Sequence, residues 1–188
     1  MKPDNAILIG RSGSGKGTQA ELLIKKIDNF FTLSTGDLFR DLAKQNSDAG
    51  QKIKDIVNSG GLPYDDIATA LWMHELSYNL RSDQGLLADG FPRRLNEAKT
   101  LDKYLEFLER MDRTFIFLVN ISADEARRRL LARGREDDTE EAIKERMNYY
   151  DKWVMEVVEY YDSMGKLIKI NGEGAPEKVH EEIMSHLS

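Results

Sequence analysis

One string constrains this chain more than anything else in it. Gly10-Arg11-Ser12-Gly13-Ser14-Gly15-Lys16-Gly17-Thr18-Gln19 follows directly on the apolar run Ala6-Ile7-Leu8-Ile9. An apolar run without polar alternation is the mark of a strand buried on both faces of a parallel sheet. After the string, Ala20, Leu23, Ile24 and Ile27 recur at helical spacing and predict a helix with an apolar stripe. Strand, glycine-rich turn and helix are the setting in which G-x-x-x-x-G-K curls its backbone so that several N–H groups converge on one anion. Gly13, Ser14, Gly15 and Gly17 are the candidate nest, and Lys16 is placed to bridge the β- and γ-phosphates of ATP. Thr18, one place later than the hydroxyl of the common form, is the candidate to hold Mg²⁺ or a phosphate.

The rest of the chain repeats the alternation. Phe30-Phe31-Thr32-Leu33-Ser34, Leu86-Leu87-Ala88, Phe115-Ile116-Phe117-Leu118-Val119 and Leu167-Ile168-Lys169-Ile170 read as strands separated by helical segments. The expected fold is α/β, a five-stranded parallel sheet flanked by helices with right-handed crossovers. With 188 residues the chain is one domain, 1–188. From Thr139 to Met164 one amphipathic helix is expected, with Ile143, Met147, Tyr150, Val154, Val157 and Tyr161 as its core stripe. Asp138 and Glu141 resemble a capping box at its start.

Composition narrows the chemistry. A net charge of −6 argues against nonspecific binding to nucleic acid, so cations that handle anionic ligands must be concentrated locally. There is no cysteine, which excludes disulfides and thiolate zinc sites and fits a reducing cytoplasm. His74, His180 and His186 are too scattered for a metal cluster. No apolar stretch is long enough to span a bilayer, and the N-terminal apolar segment is too short and wrongly flanked for a secretory signal. No hydrophobic surface stripe is evident, so a monomer is expected.

Four blocks together resemble the adenylate kinase family. Gly15-Lys16-Gly17-Thr18-Gln19 is similar to that family's form of the phosphate loop. Leu33-Ser34-Thr35-Gly36-Asp37-Leu38-Phe39-Arg40 is similar to its monophosphate-binding segment, and Asp89-Gly90-Phe91-Pro92-Arg93 to its D-G-F/Y-P-R block. Arg129-Leu130-Leu131-Ala132-Arg133-Gly134-Arg135-Glu136-Asp137-Asp138, with Arg146 beyond it, resembles its lid and the helix that follows. The resemblance implies ATP + AMP ⇌ 2 ADP with Mg²⁺, by direct in-line transfer. It implies a core of 1–34, 81–132 and 139–188, a helical acceptor-binding insertion at 35–80 and a lid at 133–138. Arg40 and Arg93 would grip the acceptor phosphate, Thr35 would lie against its base, and Leu62, Gly90 and Glu97 would complete that pocket. Asp89 would orient the magnesium shell through water, and Arg129 would pack on the adenine of ATP. Arg133, Arg135 and Arg146 would converge on the phosphates as the lid closes.

The chemistry agrees with the residue types. Phosphoryl transfer needs two polyanions aligned and their repulsion cancelled, and guanidinium is planar, permanently charged and bidentate. Arg129 and Arg133 are four apart, so they share a face of the helix that starts near Ser122. Arg127, Arg94 and Arg110 read as surface residues. Asp137 and Asp138 either cap the long helix or anchor the lid arginines.

The sequence departs from the family at three places. Glu97 stands where the family usually has Gln. Gln can accept from the adenine N6 amine and donate to N1, whereas an ionised Glu only accepts and suits guanine; a protonated Glu97 or a water bridge would restore AMP, and an exposed Glu97 would leave the contact to a neighbour. Only Gly134 separates Arg133 from Arg135, so the lid is a short one. Ser12 replaces a frequent Pro. Kinases of the same fold acting on GMP, CMP or UMP remain rivals. A GTPase switch would need a hydroxyl directly after the lysine, where Gly17 stands, and an N-K-x-D string. A catalytically dead module conflicts with the retention of Lys16, Asp89 and the arginine set.

Overall fold

The computed structural model describes residues 4–59, 61, 63–135 and 138–187. Strands β1 (Asn5–Ile9), β2 (Phe30–Ser34), β3 (Gly85–Asp89), β4 (Thr114–Asn120) and β5 (Leu167–Asn171) form one sheet in the order β2-β3-β1-β4-β5. Every neighbouring pair is parallel, as the apolar runs predicted. Around it lie α1 (Lys16–Lys26), α2 (Thr35–Leu42), α3 (Asp48–Asn58), α4 (Asp65–Asn79), α5 (Leu95–Phe107), α6 (Ala123–Arg133), α7 (Glu140–Tyr149), α8 (Met155–Ser163) and α9 (Pro176–Met184). No helix among the described residues is long and apolar enough to cross a membrane.

The two-residue period of the strands builds two cores. Ile7, Ile9, Leu86, Ala88, Ile116 and Leu118 face α4, α5 and α8, meeting Trp72, Leu101 and Tyr161. Ala6, Leu8, Leu87, Phe117 and Val119 face the other way, onto Leu23 of α1 and Val179 and Ile183 of α9. Each fully buried Leu or Ile contributes about 1.5–3 kcal/mol, which is why β1 has no polar alternation. A third, small core of Phe39, Ile53 and Ala68 joins α2, α3 and the first half of α4. Farther along α4, Trp72 and Leu76 belong to the main core. The helix therefore spans both bodies.

Several sequence expectations change here. The segment after Thr139 is not one helix: a π-helical turn, Tyr150–Val154, separates α7 from α8. Its stripe is buried as expected, Met147 only half so. The cap of α7 is Thr139, whose hydroxyl accepts from Ala142 N–H at 3.1 Å. Asp138 is engaged elsewhere, so the apparent Asp138–Glu141 box does not form. Ile24 is 44% exposed, because its side of α1 borders an open cleft rather than the sheet.

Arg110 and Arg94 are not surface residues. Arg110 is 3% exposed. Its guanidinium donates to Asn5 Oδ1 at 3.2 Å, Gln84 O at 2.7 Å and Arg81 O at 2.8 Å. Asn5 Oδ1 also accepts from Leu86 N–H at 2.9 Å, and its amide donates to Thr114 Oγ1 at 3.2 Å. This network ties together the N-terminal ends of β1, β3 and β4. Arg94 donates to Tyr149 Oη at 3.0 Å and stacks 4.3 Å over the Trp153 ring.

Arg110→Met strands these acceptors and is expected to cost about 2–3 kcal/mol. The melting temperature should fall by roughly 5–10 °C. Turnover per folded molecule should stay unchanged, since the network lies at the sheet edge opposite the cleft. A melting point within a degree of the parent would contradict this assignment.

Candidate active site

All five strands point their C-terminal ends at one cleft of about 880 Å³, where open α/β sheets hold ligands. At its centre the turn after β1 leads into α1. Gly13 (φ 84°) and Gly15 (φ 95°) take the left-handed conformation that glycine permits. A Cβ on Gly13 would also lie 2.8 Å from Ala126 O. Gly15 is itself the N-cap of α1 and offers no side-chain cap, and the first turn carries no acid. By contrast, α6 and α7 are capped by Ser122 and Thr139 and carry acidic first turns. The leading N–H groups of α1 are thus left for an anion.

Lys16 folds over this loop. Its ammonium donates to Gly10 O at 3.0 Å, Arg11 O at 2.8 Å and Ser14 Oγ at 3.4 Å. Burial pushes it down to about 8; Asp89 acts against this, while Arg93 and Arg133 add to it. Asp89 ends β3 with its carboxylate over the first turn of α1, 3.8 Å from where a Cβ on Gly17 would sit. Thr18 is exposed to the cleft in the same turn.

Among the described residues the cleft gathers Lys16, Arg40, Arg93, Arg129, Arg133, Arg135 and Arg146 against three acids, Glu21, Asp37 and Asp89. This is the local concentration of cations that an acidic chain requires. Asp138 lies behind three of the arginines, its side chain fully buried. Arg133 grips it with Nε at 2.8 Å and Nη2 at 2.7 Å, Arg146 with Nη1 at 2.6 Å, and the Arg135 N–H reaches it at 3.2 Å. Burial by itself would raise this carboxyl, but the arginine bonds outweigh it and hold it at about 2. Of the two readings of Asp138, anchoring is the one that forms. Arg129 pairs with Glu125 at 2.6 Å and reaches toward Ser14 O beside Gly15. Arg40 pairs with Asp37 one turn earlier. Arg93 donates Nε–H to Gly90 O.

A recess adjoins the cleft, lined by Thr35, Phe39, Pro63, Ala68, Gly90 and Glu97 among others. Thr35 is buried and donates to Gly90 O at 2.6 Å. Glu97 is 3% exposed, which removes the surface reading of this residue. It occupies the third position of α5 and bonds back to the N–H groups of Arg94 and Arg93, the latter at 2.6 Å. Its other oxygen accepts the Trp72 indole N–H at 3.1 Å. Leu62 lies outside the described residues, as do Glu136 and Asp137 of the lid.

The structure thus brings Gly13, Ser14, Gly15, Lys16, Gly17, Thr18, Arg40, Asp89, Gly90, Arg93, Arg129, Arg133, Arg135 and Arg146 onto one cleft. Thr35 and Glu97 line the recess beside it. Sequence reasoning missed Tyr149, which lines both cavities, and Trp72, the partner of Glu97. Tyr149 had a signal, since it falls three residues after Arg146 on the same helix. Trp72 had none, because its pairing with Glu97 is purely tertiary.

The adenylate kinase family profile matches residues 8–166. An adenylate kinase of Prochlorococcus marinus (strain MIT 9211) is 38% identical over 181 residues, covering 96% of this chain and 95% of the relative. One from Thermus thermophilus is 35% identical over 186 residues, with 96% and 95% coverage. One from Oenococcus oeni is 31% identical over 185 residues, with 98% and 97% coverage. A matched profile over most of the chain and full-length relatives, added to the fold, the loop and the arginine-lined cleft, lead to one conclusion: the chain belongs to the adenylate kinase family.

Proposed function

We infer that the cleft holds ATP and AMP end to end, and that each charged group around it has a part in ATP + AMP ⇌ 2 ADP. The activity is that of the family. The observation that carries the division of roles is the continuity of one cleft, from the uncapped N-terminus of α1 to the arginines of α2, α6 and α7. The α1 amides take the donor β-phosphate and Lys16 bridges toward the γ-phosphate. Arg129 lies along the donor nucleotide. Arg40 and Arg93 take the acceptor phosphate, and its base enters the recess between Phe39, Ala68 and Glu97. Arg133, Arg135 and Arg146 meet the transferring group. No side chain acts as nucleophile: catalysis is alignment and cancelled repulsion.

Asp89 fits a magnesium role. A single carboxylate beside a phosphate nest, with Thr18 on the same turn, is the sparse oxygen set around which Mg²⁺ keeps several of its waters. When bound, the ion would neutralise phosphate charge and orient the phosphate oxygens.

Two segments are proposed to close over the substrates. One is the helical insertion 35–80, which has its own small core. The other is the short lid 133–138, in which the left-handed Gly134 (φ 64°) follows the end of α6. With so short a lid, water exclusion depends on both. One copy of the chain supplies the whole cleft, so a monomer suffices.

Lys16→Met should lower kcat at least a hundredfold, as losing a charge-stabilising donor does, while circular dichroism and melting stay those of the parent. Because Lys16 in the free enzyme titrates near 8, kcat/KM for ATP should fall as pH rises from 7 to 9.5. A flat profile, or full turnover without Lys16, would remove the lysine from the mechanism.

Asp138→Asn should lower kcat about tenfold by releasing arginines from their aim, and should lower stability by about 1–3 kcal/mol at neutral pH. The sign with pH follows from a carboxyl held at about 2 in the folded state against 3.8 unfolded. Its stabilisation is present above roughly pH 4 and lost as pH falls toward 2. The gap between parent and variant melting points should narrow over that interval. Unchanged kcat in the variant would show Asp138 to be only a structural anchor.

A further inference from the structure

We propose that Glu97 carries a proton when AMP is bound, so that binding of the acceptor is coupled to proton uptake and the charge on Glu97 decides between adenine and guanine. The inference rests on the placement of the acceptor base in the recess beside Glu97.

The geometry of the carboxyl sets the terms. From inside the fold it receives only N–H donors: Trp72 Nε1 at 3.1 Å on one oxygen, Arg93 N at 2.6 Å on the other, and the Arg94 amide. Every internal partner therefore treats it as an acceptor. A Gln here could offer one oxygen to these donors and would turn an NH₂ toward one of them. The Trp72 indole N–H thus accounts for a carboxyl at this place. Toward the recess no further partner among the described residues fixes its protonation. The three N–H donors take three of the carboxyl's four in-plane lone-pair positions, so one is left for the recess: a lone pair when ionised, an O–H when protonated.

The bases differ in what they require of that edge. Adenine presents its N6 amine beside the N1 lone pair, a donor next to an acceptor. Guanine presents N1–H beside its N2 amine, two donors. The one free position is read at N1: a neutral carboxyl donates its O–H to adenine N1, whereas a carboxylate would set a lone pair against adenine N1 and instead accepts guanine N1–H. A site whose buried polar groups are left unmatched discriminates strongly against the mismatched base, which is enough to invert a preference.

The surroundings admit either state. Burial favours the neutral acid and lifts the carboxyl above its ordinary range, while the three N–H bonds and the Arg93 charge act the other way. Arg93 and Arg94 face it from the start of its own helix, and α4 faces it with Trp72. Tyr149 of α7 and Tyr161 of α8 are within electrostatic reach, and both phenols are raised by burial and stay neutral. From α2 the recess receives Thr35 and Phe39, neither of which titrates.

The test is calorimetric titration of AMP, and separately of GMP, into the ATP-free enzyme at pH 8–9. Buffers of different ionisation enthalpy report the protons taken up. At this pH the monophosphate, whose second ionisation lies near 6, is already a dianion. Any response of Lys16 to the phosphate is common to both nucleotides, so the difference between them isolates the base. AMP should take up close to one proton more than GMP. The ratio of kcat/KM for AMP over GMP should fall about tenfold per pH unit where Glu97 is ionised in the free enzyme. In Glu97→Gln the difference in uptake and the slope should both vanish. If that variant is poorly folded, Trp72→Phe combined with Glu97→Gln removes the unmatched donor and serves instead. Equal uptake for the two nucleotides in the parent, or a difference that survives in the Gln variant, overturns the proposal. Ala68→Leu distinguishes failure of the underlying placement: it fills the recess and should raise KM for AMP at every pH. If it does not, the base lies elsewhere.

Discussion

The N-terminus of α1 is built with its hydrogen bonds missing. Gly15 caps it with no side chain, and no acidic residue stands in the first turn. A glycine in place of a side-chain cap typically costs only about a few tenths of a kcal/mol. The same few residues contain glycines held at positive φ and a lysine buried until its ammonium titrates near 8. The missing cap, the absent acid and the buried lysine are each unfavourable alone, and a single polyphosphate relieves all three. It accepts from the amides, takes the place of the absent acid and holds the charge on Lys16. The loop is stabilised by its ligand, and the parallel sheet keeps it in position while empty, since β1 is buried along its whole length.

Arginine does two different things at the two ends of that sheet. At the N-terminal edge, Arg110 meets neutral, immobile acceptors: Asn5 Oδ1 and the carbonyls of Gln84 and Arg81. It has no access to the cleft, and its charge acts as a set of donors. At the C-terminal edge, Arg133 and Arg146 share one carboxylate, Asp138, and still line the cleft. Several guanidiniums close together repel one another. One buried counter-charge holds two of them without cancelling the field of the group, and seven cations therefore remain gathered in a protein of net charge −6.

What the sequence revealed and what it concealed follow from the range of the interactions involved. The strand, loop and helix around Lys16 are contiguous, and their pattern needs no partner to be read. The arginines of α6 were legible because Arg129 and Arg133 share a helix face by spacing alone. Asp138 kept two readings, cap and anchor, because the pattern is degenerate: a short polar residue lies at 138 and again at 139, and the local string does not say which turns toward the helix amides. Thr139 could do so because the guanidiniums of Arg133 and Arg146 had claimed its neighbour. Arg110 read as surface because charge usually means solvent; the acceptors that bury it come from residues 5, 81 and 84, far away along the chain. The interruption at Tyr150–Val154 left no mark in an otherwise helical stripe.

The recess beside Glu97 combines both kinds of information. Its apolar wall, Phe39 and Ala68, belongs to the small core of α2, α3 and α4. Its polar wall belongs to the main core, where Trp72 is fully buried, stacks on Phe91 at 5.6 Å and holds Glu97. Ala68 and Trp72 lie one turn apart on α4, so the helix passes from one body to the other within a single turn. A rotation of the small core about this point moves the apolar wall against a polar wall that stays fixed to the sheet. The groups that would read the edge of a base are thus tied to the sheet that carries Asp89 and the phosphate loop. The groups that would only cover its face are tied to the part proposed to move. Recognition and chemistry then share one rigid frame, and closure adds the desolvation that makes both sensitive to a misplaced hydrogen bond.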